Sequence, residues 1–256
     1  MSERGSASLW TDVATVMWKE WRELLSPGRR GSGRSGWLSI AITVGIFGIF
    51  LPWQMGLDWV QSPMALVYWG WVPLFLVSGV VADAFAGERE RHTLETLLAS
   101  QLPDNAILLG KLLAAVSYGC LLTVAGLLLG ALTVTLAFGQ GRLLFYPTLV
   151  AVGGAVLCVL ASGLAACAGV FVSLRAASVR QAAQTLSIAT MLLIFVPVYG
   201  LQALPASVRA AGLAWMSRQN STTVLLAVLL VLAALDALLL AAARLRFQRA
   251  KLALNV

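Results

Sequence analysis

Six stretches of this chain are long and apolar enough to be candidate membrane spans. They run roughly over Trp37–Leu57, Met64–Phe85, Ile107–Phe138, Phe145–Ser173, Ala182–Leu204 and Ser221–Ala243. A hydrocarbon layer ~30 Å thick is crossed by about 20 mostly apolar helical residues. Each run meets that length, and the third and fourth exceed it, so these two are expected to tilt or to extend into the cytoplasm. Composition agrees: 59% of residues are hydrophobic and 11% charged, where a soluble domain carries ~45–50% and ~25%. An ordinary water-soluble globule is excluded, and disorder is excluded by the excess of apolar material. The expected fold is an all-α membrane protein with six transmembrane helices.

The net charge of +7 is an orientation signal. Nucleic-acid binders become basic by being rich in charge, whereas here charge is scarce, so no nucleic-acid partner is expected. Arg4, Lys19, Arg22, Arg29, Arg30 and Arg34 precede the first run; Arg89 and Arg91 lie between the second and third, with Lys111 at the entry to the third; Arg175 and Arg180 lie between the fourth and fifth. Arg244, Arg246, Arg249 and Lys251 follow the last, which leaves Arg142, Arg209 and Arg218 for the opposite side. By the positive-inside rule this 15-to-3 division places both termini in the cytoplasm of a multi-pass protein of the inner (plasma) membrane. The first 36 residues are polar and amphipathic, unlike a secretory signal. Cys120, Cys158 and Cys167 fall inside apolar runs without CxxC spacing, and His92 is the sole histidine. The cysteines read as small core residues, and neither they nor the single histidine suggest a disulfide framework or a metal site.

Two domains are expected: residues 1–36 as an interfacial helix and linker, and 37–256 as one six-span unit with a cytoplasmic tail. Within Leu9–Leu25, Trp10, Val13, Ala14, Met17, Trp21, Leu24 and Leu25 recur at helical spacing, while Asp12, Lys19, Glu20, Arg22 and Glu23 cluster apart. Such a helix either lies at the headgroup level with its tryptophans as anchors or packs on another part of the protein. Ser26–Gly36 is a Gly/Ser linker with three arginines, suited to an anionic inner leaflet. Between Gln202 and Asn220, Pro205 interrupts the apolar run. That stretch reads either as re-entrant or interfacial helices, tolerated where buried in protein or lining a cavity, or as a plain external loop.

The most informative connection is Gly87–Ser100, GERERHTLETLLAS. As a helix it gathers Leu94, Leu97 and Leu98 on one side. Glu88/His92 and Arg91/Glu95 stand at i,i+4 spacing, so its charged face can pair internally. Pro103 ends it before the third span. A charge-rich helix with an apolar ridge between two spans is either a solvated juxtamembrane helix or a lever for a soluble partner.

This segment, with LLGKLLA at Leu108–Ala114, resembles the permease subunits of ABC exporters of the type-2 class. The match covers Gly87, Glu88, Arg89, Glu90, Thr93, Leu94, Glu95, Leu97, Leu98, Gly110 and Lys111; His92 departs from the glycine often found there. The layout of an amphipathic helix, six spans and a tail is also shared. The resemblance implies that Glu88, Arg89, Glu90, Arg91, Thr93, Leu94, Glu95, Leu97 and Leu98 belong to a coupling helix docking in a groove of a separate ATPase. It implies a second, smaller contact from Ser173–Gln181, including Arg175. It further implies a second permease copy or a homologue, an exported substrate that it leaves open, and short external helices before the last span. No GxxxxGK[ST] phosphate loop occurs in the sequence. ATP hydrolysis, with its ATP and magnesium, is therefore expected in a partner chain, and this chain is expected to be neither an enzyme nor a cofactor binder.

Two further features concern the spans. Asp236 sits about fifteen residues into the last run, where an ionisable group is expensive and faces the bundle interior or a watery path by default. It is expected to pair with a cation or line the translocation route, or else to stand protonated and hydrogen-bonded to a neighbouring helix. Asp83 and Lys111, at the cytoplasmic ends of adjacent spans, are expected to pair. Trp37, Trp53 and Trp59 read as interfacial belts, Trp69 and Trp71 lie deeper, and the glycines of the fourth span suit close packing. The alternative function is a secondary transporter driven by an ion gradient through Asp236.

Overall fold

A computed structural model describes residues 2–25, 33–62, 65–91 and 102–247. The described residues form helices and connecting turns, with no strand. Helix α1 spans Ser2–Leu25. Helix α2 (Gly33–Gly45) passes through a π-helical turn at Ile46–Phe50 into α3 (Leu51–Met55), and α4 (Asp58–Gln61) follows. Helix α5 (Ala65–Ala82) continues through a second π-helical turn, Asp83–Gly87, into the short α6 (Glu88–Glu90). Then come α7 (Asp104–Phe138), α8 (Thr148–Ser173), α9 (Val179–Ala203), α10 (Ala206–Arg218) and α11 (Ser221–Arg246).

Among the described residues, five helices are long and apolar enough to cross a bilayer: Ala65–Glu90, Asp104–Phe138, Thr148–Ser173, Val179–Ala203 and Ser221–Arg246. The first expected span is covered by the α2–α3 helix, of which Ile40–Met55 is the apolar part. At 35 residues, α7 is ~52 Å long and exceeds the bilayer core, which matches the long third run. Punctuation in the sequence sets the boundaries. Pro103 and Pro147 stand immediately before α7 and α8, where a missing N–H costs nothing. The Ser178 hydroxyl accepts from the Gln181 N–H at 3.2 Å and the Asn220 side chain from the Thr222 N–H at 3.3 Å, capping α9 and α11. Residues 206–218 are helical rather than a plain loop.

The bundle is centred on α5, α7 and α8, which share a core of Val77, Val81, Phe85, Leu108, Ala166 and Val170. Helix α1 and the α2–α3 helix pack against α7, α9 against α5 and α8, and α11 against α8. The glycines of α8 make this possible by letting two neighbours approach. A Cβ at Gly154 would lie 2.7 Å from the Trp69 ring of α5, and one at Gly153 would collide with Leu225 of α11. With no hydrophobic drive between helices in lipid, such close packing is a main source of association. Cys158 and Cys167 are buried and Cys120 half-buried, all as free thiols.

One expectation changes. Trp59 is not an interfacial residue: it is 0% exposed and stacks at 4.5 Å from the Tyr68 ring, while Trp53 is 62% exposed. Helix α1 packs on the protein, with Val13, Val16 and Glu20 buried against α7 and Trp10 and Trp18 outward. The reason is steric: a Cβ at Gly110 would lie 2.6 Å from Val16, so this glycine lets α1 settle onto α7.

Candidate functional site

The site is built where α5 ends. The π-helical turn at 83–87 inserts a wider loop of backbone, and the Ala84 carbonyl there accepts a hydrogen bond from the Lys111 ammonium at 3.0 Å. Lys111 reaches it from the second turn of α7 and is 2% exposed. Its other two contacts go to Glu88 Oε1 at 2.7 Å and Glu20 Oε1 at 2.8 Å. An ammonium has three donors, and here the turn, α6 and α1 take one each. Lys19, on the solvent side, stands 3.4 Å from Glu20 and 3.5 Å from Glu88. Glu20 is 4% and Glu88 7% exposed. Burial pushes the Glu20 carboxyl up, but the Lys111 ammonium and its hydrogen bond, with Lys19, outweigh this and hold the group below its ordinary value of 4.5. Burial likewise works against the charged form of Lys19, yet Glu20, Glu88 and Glu23 hold its ammonium above its ordinary value. The Trp21 indole donates to the Ser117 hydroxyl at 2.9 Å, locking α1 along α7 beside this hub.

The Asp83–Lys111 pair expected from the sequence is therefore replaced. Asp83 meets Arg91 at 3.3 Å, and Lys111 turns to Glu20 and Glu88 because the π-helical turn brings Glu88 over the mouth of α7. Gly87 lies under the Asp83–Arg91 pair: a Cβ there would sit 2.6 Å from the Asp83 carboxylate and 2.7 Å from the Arg91 guanidinium. That gives the glycine of the GERE stretch its physical reason.

Arg89 and Glu90 face the other way, to the α8–α9 connection. The two guanidinium nitrogens of Arg89 donate to the Leu174 carbonyl at 2.7 Å and the Ala176 carbonyl at 3.2 Å. Glu90 accepts from the Val179 N–H at 3.1 Å. A cation thus closes the C-terminal end of α8 and an anion the first turn of α9, each on the end of the helix dipole that favours it. The 88–91 segment and the 174–179 loop are one hydrogen-bonded unit. Arg175 is exposed on that loop. Residues 92–101 lie outside the described residues, and with them Thr93, Leu94, Glu95, Leu97, Leu98 and the pairings expected for His92 and Glu95.

Asp236 stands apart from this hub, on the face of α11 that packs against α8. Gly163 makes room for it: a Cβ there would lie 2.9 Å from a carboxylate oxygen. The other oxygen, Oδ1, is buried without a hydrogen-bond partner among the described residues. The side chain borders a crevice of ≈ 210 Å³ between α7, α8 and α11. Neither the cation nor the hydrogen-bonding neighbour anticipated for Asp236 is found among the described residues.

Sequence reasoning missed Glu20, which the helical wheel grouped with Lys19 and Glu23. The available signal was its spacing from Val13 and Val16, the two residues of α1 that α7 buries.

Compared with known proteins, residues 73–252 match the family model described as ABC-2 family transporter protein. No similar curated protein was found. The match covers α7, α8 and α11 entire and both halves of the hydrogen-bonded unit at 88–91 and 174–179. This chain belongs to the ABC-2 transporter family, whose membrane transport subunits associate with ABC ATPases.

Proposed function

We propose that the chain is the permease subunit of an ATP-driven exporter, moved by a separate ATPase that docks on the Gly87–Ser100 segment and the Ser173–Gln181 loop at the cytoplasmic face. The observation that carries this reading is the clamp of Arg89 and Glu90 onto the α8–α9 connection. The two contacts implied for the ATPase are joined to each other, so a push on either is delivered to the ends of α5, α8 and α9 together. Lys111 extends the connection to α7 and α1 through Glu88 and Glu20. Buried charged groups with all donors used resist deformation as single bodies, which is what a lever requires. Two permeases, as two copies or as a pair with a homologue, enclose the path, and ATP-driven closure of the motor subunits opens it.

The test is capture from membranes. The tagged wild-type chain is expected to retain a P-loop ATPase, identified by sequence and by ATP hydrolysis in the eluate. Leu94→Asp is expected to lose it while the chain stays at wild-type level in the membrane. Retention of the ATPase by Leu94→Asp together with a Glu95→Ala/Leu98→Asp double variant removes the coupling role. Absence of any ATPase, with ion-dependent uptake in vesicles, replaces the motor-driven reading with a secondary transporter.

A further inference from the structure

The first span is not one rod. Its inner segment α2 and its outer segment α3 meet at the π-helical turn Ile46–Phe50, and a helix-weakening residue flanks that turn on each side. Pro52, the second residue of α3, has no N–H for the Gly48 carbonyl four residues before it. The Thr133 hydroxyl of α7 donates to that carbonyl at 2.7 Å, and lies 2.9 Å from the Leu129 carbonyl of its own helix. Helix α7 treats the other π-helical turn alike, since Lys111 donates to the Ala84 carbonyl. On the inner side of the joint stands Gly45, with helical dihedrals. Among the described residues a Cβ there would meet nothing within 4 Å. Packing therefore does not require glycine at 45, although only proline is a poorer helix former.

The two segments are also held differently. Gly48 and Pro52 are buried, and the outer segment touches α7 closely from both sides. A Cβ at Gly48 would lie 2.7 Å from Leu129, and one at Gly130 would lie 3.0 Å from Pro52. On the inner segment Ile40 is only partly buried against the core, while Leu38 and Ile42 are exposed.

From this we propose that the joint is a hinge: α3, pinned by Thr133, stays on α7 while α2 swings about Gly45 and the π-helical turn. The proposal rests on the permease reading and assigns it the element that moves. Bends in long helices are made by glycine, by proline and by π-helical turns, and residues 45–52 of this span combine all three. The pin makes the motion one-sided. Without a donor from α7 the Gly48 carbonyl would face an apolar surrounding at the place where proline withholds its partner. With that donor the outer segment is fixed, and bending is confined to the segment nearer the hub. The chain links the two directly. Glu20 ties α1 to Lys111, and residues 26–32 join α1 to α2. A displacement of the hub therefore reaches the inner segment, and the hinge lets that segment follow without dragging the outer half from α7. Thr133 is a positioning residue here, since it acts through the Gly48 backbone.

The test measures spin-label distances in the full chain in nanodiscs, with Cys120→Ala, Cys158→Ala and Cys167→Ala as background. One pair of nitroxides, at Leu38→Cys and Leu121→Cys, joins the inner segment to α7. The other, at Trp53→Cys and Leu136→Cys, joins the outer segment to α7; all four positions are exposed. The inner distance distribution is expected to be at least about twofold wider than the outer one. Gly45→Ala, which adds a methyl group in open space, is expected to narrow the inner distribution to within about 1.5-fold of the outer one. Its melting midpoint should not fall. Thr133→Val should widen the outer distribution, and Thr133→Ser, which keeps the hydroxyl, should leave it as in the wild type. Equal widths for the two pairs, or an inner width that Gly45→Ala leaves unchanged, overturn the proposal. Should Thr133→Val not assemble, the two pairs and Gly45→Ala decide alone. These readouts need no ATPase, so a chain that captures its motor yet shows equal widths refutes the hinge and leaves the permease reading standing.

Discussion

Lys111 and Asp236 are both ionisable side chains on long apolar helices, and their surroundings are opposites. Lys111 is 2% exposed and spends every donor on α1, α6 and the π-helical turn. Asp236 is only partly buried, and Oδ1 has no partner among the described residues. The contrast separates two uses of a charge in a membrane bundle. A fully partnered buried charge fixes how elements sit relative to one another, and taking away one member leaves the rest stranded. An unpartnered one places no such constraint on its neighbours, and its presence in an apolar span is by default a mark of function.

The contrast is sharpest for Lys111→Met. It leaves Glu20 and Glu88, two buried carboxylates on one spot, with only the solvent-side Lys19 as a shared cation, and breaking a buried pair this way costs about 3–5 kcal/mol. The expected result is a large drop in melting midpoint in detergent, or loss of assembled protein. Lys111→Met/Glu20→Gln/Glu88→Gln is expected to recover most of it, because neutral partners no longer need an ammonium. A single variant as stable as wild type would remove the structural role of the hub.

Acid probes the same hub without mutation. The Glu20 carboxyl is held below its ordinary value of 4.5, so its stabilising contribution is complete above that pH. It is lost as pH falls further, through the lowered folded-state value. The melting midpoint of the wild type should therefore decline below about pH 4.5. Glu20→Gln, already without the carboxylate, should start lower and show a flatter acid limb. Parallel acid limbs for the two proteins would mean that Glu20 does not titrate in partnership with Lys111.

Next in size is Arg89→Ala, which opens the clamp between the 88–91 segment and the α8–α9 connection. Hydrogen bonds from a charged group are worth about 1.5–3 kcal/mol, and Arg89 is half-exposed, which places the loss at the lower end. The larger expected effect is functional: the variant captures its ATPase, and transport per ATP hydrolysed falls. Arg89→Lys should not restore it, because one ammonium cannot reproduce the planar fork that serves two carbonyls. Full rescue by lysine would mean that charge at the end of α8 matters and the clamp does not.

How much of this was legible in the sequence follows from what each feature depends on. The helix boundaries follow from local properties, apolar length and the punctuation of Pro103, Pro147, Ser178 and Asn220, so the expected run of 182–204 and the observed Val179–Ala203 differ little. The glycines of α8 also announced close packing. The hub was not legible, because it depends on a backbone irregularity. A regular helix through Asp83–Gly87 makes Asp83 the natural partner for Lys111, whereas the π-helical turn shifts the register and brings Glu88 there. No residue in DAFAG marks that turn. Helix α1 left two readings open for a related reason. It has apolar residues on two sides, Trp10 and Trp18 on one and Val13 and Val16 on the other, and only tertiary contact with Gly110 chooses between them. The position of Asp236 was plain from its depth in the last run, while its lack of a partner is a tertiary fact.

Asp236→Asn is expected to change stability least, by less than about 1 kcal/mol, and in the stabilising direction if it changes at all. Removing the charge relieves the desolvation that an unpartnered carboxylate suffers, and the amide fits the same space beside Gly163. The comparison with Lys111 turns on this sign. Two charges of equal structural importance would give two large losses, whereas a charge outside the hydrogen-bonded network of the bundle gives none. The measurement is the melting midpoint of Asp236→Asn against wild type, and the variant should melt at or above the wild type. A fall on the scale of Lys111→Met would show that Asp236 is held by a partner, such as a cation of a second copy. It would then belong with Lys111 among the charges that shape the assembly.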